Sequence, residues 1–154
     1  MTAPTLEYHD ESTLSKQEIA RLQLVEAIEL FLRGNYICAI TLSGAAEGVL
    51  GGLLESSGQL SAVEESTSRI STLLGSLGLK TVEPRKDTEY YNKWNKTRNA
   101  VKHHKKLEAE LLTLNQFDEA YWMIERALRN AELLGIVVVN RDEYKNWLIV
   151  NIHK

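Results

Sequence analysis

Apolar residues recur at intervals of three and four along most of the chain, the spacing that places them on one face of an α-helix. Ile19, Leu22, Val25, Ile28 and Leu32 form one such row, and Ile70, Leu73, Leu74 and Leu77 form another. A third comprises Phe117, Ala120, Tyr121, Ile124, Ala127, Leu128 and Ala131. Start signals precede these rows. Ser15 with Glu18 and Ser61 with Glu64 fit the capping box, in which a hydroxyl satisfies a free amide and the acid three residues on reaches back. Asn115 with Asp118 suggests another start, while Gly34-Asn35, Ser57-Gly58 and Gly135 read as stops. The pattern predicts helices over residues 16–33, 36–56, 62–77, 88–106, 115–135 and 142–152. The β-branched run Ile136-Val137-Val138-Val139 reads as extended, with no second strand to pair with.

The segment 36–56 differs from the others because it is apolar nearly all round, which predicts a central helix buried on most sides. Its only charge is Glu47. Four glycines at 44, 48, 51 and 52 cost about 1 kcal/mol each relative to alanine, so close approach of a neighbouring helix is expected there. The stretch is also long enough to cross a bilayer. A carboxylate near the middle would cost about 2.5 to 3.5 kcal/mol in that setting, so a buried helix without membrane contact is the better reading.

At 154 residues, with 44% hydrophobic and 25% charged content, the chain fits one soluble domain large enough to bury a core. Residues 1–14 carry Glu7, Asp10 and Glu11 without an apolar core, so they read as a flexible segment and not a secretory signal. Residues 15–154 read as a single helical domain. Gly78 to Asp87, with Pro84, is the most plausible flexible connection within it. A single cysteine, Cys38, excludes an intramolecular disulfide and is compatible with the cytoplasm; its apolar surroundings predict a small buried residue.

Net charge is -3, so affinity for a polyanion must come from a local cluster. Such a cluster exists. Between Thr88 and Leu107 lie Lys93, Lys96, Arg98, Lys102, Lys105 and Lys106 against the single acid Glu89. The same segment holds Asn99 and His103, which combine a carboxamide and an imidazole able to exchange a proton near neutrality with the permanent cation of Arg98. On a helix, Tyr90, Trp94 and Val101 form an apolar stripe with Arg98 at its edge. Asn95, Asn99 and His103, four apart, line a polar face. Arg98 and His103 are about 140° apart around a regular helix, so a kink or a second copy of the chain is needed to bring them together. His104 lies nearer the apolar stripe and reads as structural. Neither a His-Glu-x-x-His pair nor a glycine-rich phosphate loop is present, and no metal or cofactor is expected.

Arg98, Asn99 and His103, on a helix that follows a long loop in an all-helical chain, resemble the motif of the HEPN superfamily, whose ribonuclease members carry an Arg, a polar residue, variable positions and a His. The resemblance rests on about ten residues, 97–106. It implies an all-α, up-and-down bundle, here of five to six helices, and a homodimer that brings two motifs into one cleft. It further implies an endoribonuclease, often a toxin or defence component, with an antitoxin or regulatory protein as partner. In that reading His103 is the general base or acid, Arg98 clamps the phosphoryl oxygens and Asn99 orients one of them. Lys93, Lys96, Lys102, Lys105 and Lys106 would track the RNA backbone. Many members lack activity, and the alternative is a non-catalytic module binding a nucleotide, RNA or protein. The bland reading has Arg98 paired with a buried acid and the His and Lys residues solvating a helix face. Glu47 bears on both readings as a buried carboxylate in need of a partner, and a helix 4 or helix 5 cation is expected to supply one.

Overall fold

Among the described residues six helices follow one another: α1 (Lys16–Leu32), α2 (Tyr36–Ser56), α3 (Ala62–Ser76), α4 (Thr88–Lys102), α5 (Gln116–Leu133) and α6 (Arg141–Ile152). The computed structural model describes residues 12–78 and 88–152, apart from the side chains of 67, 71, 88–91, 93 and 94. Expectations for residues 1–11 and 79–87, and for the side chains of Tyr90, Tyr91, Lys93, Trp94 and His153, therefore lie outside the described residues. Among those that are described there is no strand, and the fold is an all-α bundle.

The most apolar segment ends up in the middle. α2 packs against α1, α4 and α5, burying Ala39, Ile40, Ala46, Leu50 and Leu54 together with Ser43, Gly44 and Glu47. By length and composition it could cross a membrane, and part of it is buried among these three neighbours. α1 and α2 form a hairpin closed at Gly34, whose φ of 79° suits glycine; the amide of Asn35 donates to Leu30 O at 2.8 Å. At this end of the bundle Phe31 meets Tyr36, Phe117, Tyr144 and Trp147 with ring centroids 5.2 to 5.4 Å apart, drawing α1, α2, α5 and α6 together. Tilted and edge contacts of this kind are worth about 0.5 to 1.5 kcal/mol each beyond burial.

Helix directions follow from these contacts. Phe117 lies beside Tyr36 at 5.5 Å, while Asn130 reaches Glu47 O and faces Gly51, so α5 runs parallel to α2. Asn130 is fully buried and also accepts the Ala62 amide at 2.6 Å, joining the start of α3 to α2 and α5.

Local signals and structure diverge at four places. The Ser61–Glu64 capping box is complete, whereas at Ser15 only half forms, because Arg21 engages the Glu18 carboxylate at 2.6 and 2.8 Å. Residues 136–139 form no strand, in keeping with the lack of a partner, and Val138 alone of the four is buried. Cys38 is exposed, correcting the buried reading: a helix apolar all round does not reveal which of its sides meets water. Helix 4 stops at Lys102 instead of continuing to Lys106. His103 donates the last amide bond, to Asn99 O at 3.0 Å. A turn then takes over, with Glu108 N–H on Lys105 O, the Glu108 carboxylate on the Lys105 amide, and Leu107 at φ 67°.

α3 is tied to α5 by Arg129, which donates from Nε and Nη2 to Glu65 at 3.1 Å and from Nη1 to Glu132 at 2.9 Å. Hydrogen bonding to Arg129 holds the Glu65 carboxyl below its usual value of 4.5. A carboxyl depressed in the folded state contributes stability above the unfolded value and loses it as pH falls through the folded one. Arg129→Met should therefore flatten the decline of the urea midpoint below pH 4.5. An unchanged acid slope would show that the pair is energetically silent.

Candidate functional site

Glu47 is 5% exposed, one turn past Gly44 on the central helix. A carboxylate so placed loses most of its hydration and requires compensation from fixed donors. Two arginines provide it. Arg98 Nη1 lies 2.8 Å from Oε2 and Arg126 Nη2 lies 3.4 Å from Oε1, with both guanidinium side chains mostly covered. Arg126 also donates to Asn95 Oδ1. One carboxylate is thus shared by two guanidinium groups from different helices, and α4, α5 and α2 meet at a single charged knot.

The glycines explain how Arg98 gets there. A Cβ on Gly44 would stand 2.7 Å from Arg98 Cγ and 2.8 Å from Cδ, and one on Gly48 would stand 3.7 Å from Nη1. The expected close approach at Gly44 is therefore made by a side chain, whose stem crosses α2 from Gly44 towards Gly48. Helical side chains lean towards their own N-terminus, so α4 runs opposite to α2 and hence opposite to α5. Gly44→Ala should displace this stem and cost about 1 to 3 kcal/mol, read as a lowered denaturant midpoint. Gly52→Ala, with nothing within 4 Å of its Cβ, should instead stabilise by about 1 kcal/mol. Equal responses at the two sites would refute the cradle.

Beyond the knot, α4 opens to solvent. Lys96, Asn99 and Lys102 are exposed on the helix, and His103, His104, Lys105 and Lys106 are exposed in the connection after it. Arg98 points inward, by contrast, with only 20% of its side chain exposed and its buried Nε without a hydrogen-bond partner among the described residues. Arg98 and Glu47 are in contact, and Asn99 and His103 lie on the solvent side. His104 is not packed against the apolar stripe, because the helix has already ended where the stripe would have continued. Val101 does continue it, half-buried against the core.

Two members of the knot escaped the sequence reading. Asn95 belongs to the same four-residue series as Asn99 and His103, yet it is only 8% exposed and is claimed by Arg126. Arg126 itself flanks the α5 stripe at a position where a cation is ordinary. The one available signal was Glu47, a lone charge that demanded cations from elsewhere.

Trp122 stands one turn before Arg126 on α5 and is 61% exposed. Among the described residues it is the one aromatic side chain left exposed. Its ring contact is with Tyr121, at 5.0 Å and 67°, a near-perpendicular arrangement in place of a stack.

In comparison with known proteins, the chain matches no family model, no curated protein and no solved structure.

Proposed function

We propose that this chain is a metal-independent endoribonuclease of HEPN type, acting in the cytoplasm as a homodimer and serving as a toxin or defence component. The observation that carries the reading is the division of roles on α4. Arg98 is anchored on Glu47, while Asn99, His103 and the lysines 96, 102, 105 and 106 are open to solvent. An arginine fixed by a carboxylate keeps its remaining donors in a set direction, which suits a phosphoryl clamp. A ribose 2′-hydroxyl would attack the adjacent phosphorus, losing its proton to an imidazole as the 5′-oxygen leaves and gains one. Two copies of His103 in a two-fold assembly would provide the acceptor and the donor. The lysines would hold the strand through its phosphates.

Partner-free protein should cut RNA in EDTA and leave 2′,3′-cyclic phosphate ends, since the nucleophile is the neighbouring hydroxyl. Light scattering at micromolar concentration should give twice the chain mass. A monomer, or ends bearing 3′-hydroxyl groups, would defeat the mechanism. The second reading, a non-catalytic RNA-, nucleotide- or protein-binding module, is favoured by the engagement of Arg98 with Glu47, which gives that arginine a structural task. RNA that is bound but never cut would establish it.

A further inference from the structure

We infer that Trp122 is a stacking platform for a nucleobase, placed beside the basic end of α4 so that one strand is held by its phosphates and by a base together. This rests on the reading of the chain as an RNA-acting domain, and names a contact within that site.

The placement follows from the helix directions. Asn95 and Arg126 meet across the space between α4 and α5, which run in opposite senses. One turn further along α4 brings Asn99, and one turn back along α5 brings Trp122; because the helices are opposed, both steps go the same way. His103 is one turn beyond Asn99, at the end of α4. The indole therefore belongs to the same side of the bundle as the exposed amide and imidazole.

An isolated exposed leucine needs no explanation, since every soluble surface carries some. Trp122 differs in three ways. Among the described residues no ring lies parallel to its flat faces, the contact with Tyr121 being an edge arrangement at 67°. It belongs to the side of the bundle that carries exposed Asn99, Lys102 and His103, where an apolar protein partner would have to desolvate charges. The neighbouring acid on α5, Glu125, is already engaged by Lys145 at 2.6 Å, which lessens its repulsion of an approaching phosphate. Asp118 and Glu119, at the start of α5, would turn the strand back towards the lysines of α4. A planar ring exposed beside cations is the arrangement that binds single-stranded nucleic acid with little sequence preference, because every base presents a π-face.

The test uses full-length protein and two labelled, uncleavable strands of equal length: 2′-O-methyl oligouridine and its abasic counterpart. Fluorescence anisotropy should show that wild-type protein prefers the base-bearing strand. Trp122→Ala should weaken oligouridine binding by about 5- to 150-fold, leave the affinity for the abasic strand and the salt slope unchanged, and so erase the preference. Trp122→Phe should retain most of it. If Trp122→Ala binds oligouridine as wild-type protein does, the stacking role is refuted while RNA binding stands. If wild-type protein binds neither strand, the RNA reading fails and takes this inference with it. If Trp122→Ala changes the particle mass in light scattering, the ring belongs to an interface between copies, and the inference is overturned.

Discussion

Glu47→Gln is expected to lower the unfolding free energy by about 3 to 5 kcal/mol, because neutralising the shared carboxylate of a buried charge cluster removes the ion pair that anchors Arg98. Both Arg98 and Arg126 lose their shared carboxylate, and Arg98 cannot swing into water without abandoning the space its stem fills over α2. For a domain of this size the melting temperature should fall on the order of 10 °C. Pairing the change with Arg98→Met should recover part of the loss, since residues in one network are not additive. A denaturant midpoint equal to that of wild-type protein would mean that the knot contributes nothing net, and Arg98 would then lose its anchor as an argument for catalysis.

The second large effect is on chemistry. His103→Ala should reduce the rate of RNA cleavage by about 10² to 10⁴, the usual contribution of a positioned proton-transfer group. It should do so with little change in stability, since the side chain is exposed and only its backbone amide closes the helix. This separation makes His103 a cleaner probe than Arg98, whose replacement would disturb the knot and the site together. A variant that cuts as fast as wild-type protein would remove His103 from the mechanism and leave the binding-module reading in its place.

The helices were legible because their signals are local. Row spacing, Ser61 with Glu64, Asn115 with Asp118, and the glycines at 34, 58 and 135 all act between residues a few positions apart, where backbone geometry leaves few options. The end of α4 was less so. A run of cations favours a helix C-terminus generally, but the stop at Lys102 depends on the turn closed by Glu108, a feature no periodicity announces.

The sequence by itself determined that the chain would build helices, that the segment around Glu47 would be central, and that the lone carboxylate there would need cations. Which cations arrive was decided by tertiary structure alone. Arg98 is 51 residues from Glu47, and Arg126 is 31 residues from Asn95. Contacts of that range depend on how three helices cross, on a glycine leaving room for an arginine stem, and on helix directions that no local pattern encodes. The same packing left Cys38 and Trp122 in water and covered Asn95, because a helical period says which residues share a face but not which neighbour, if any, that face will meet.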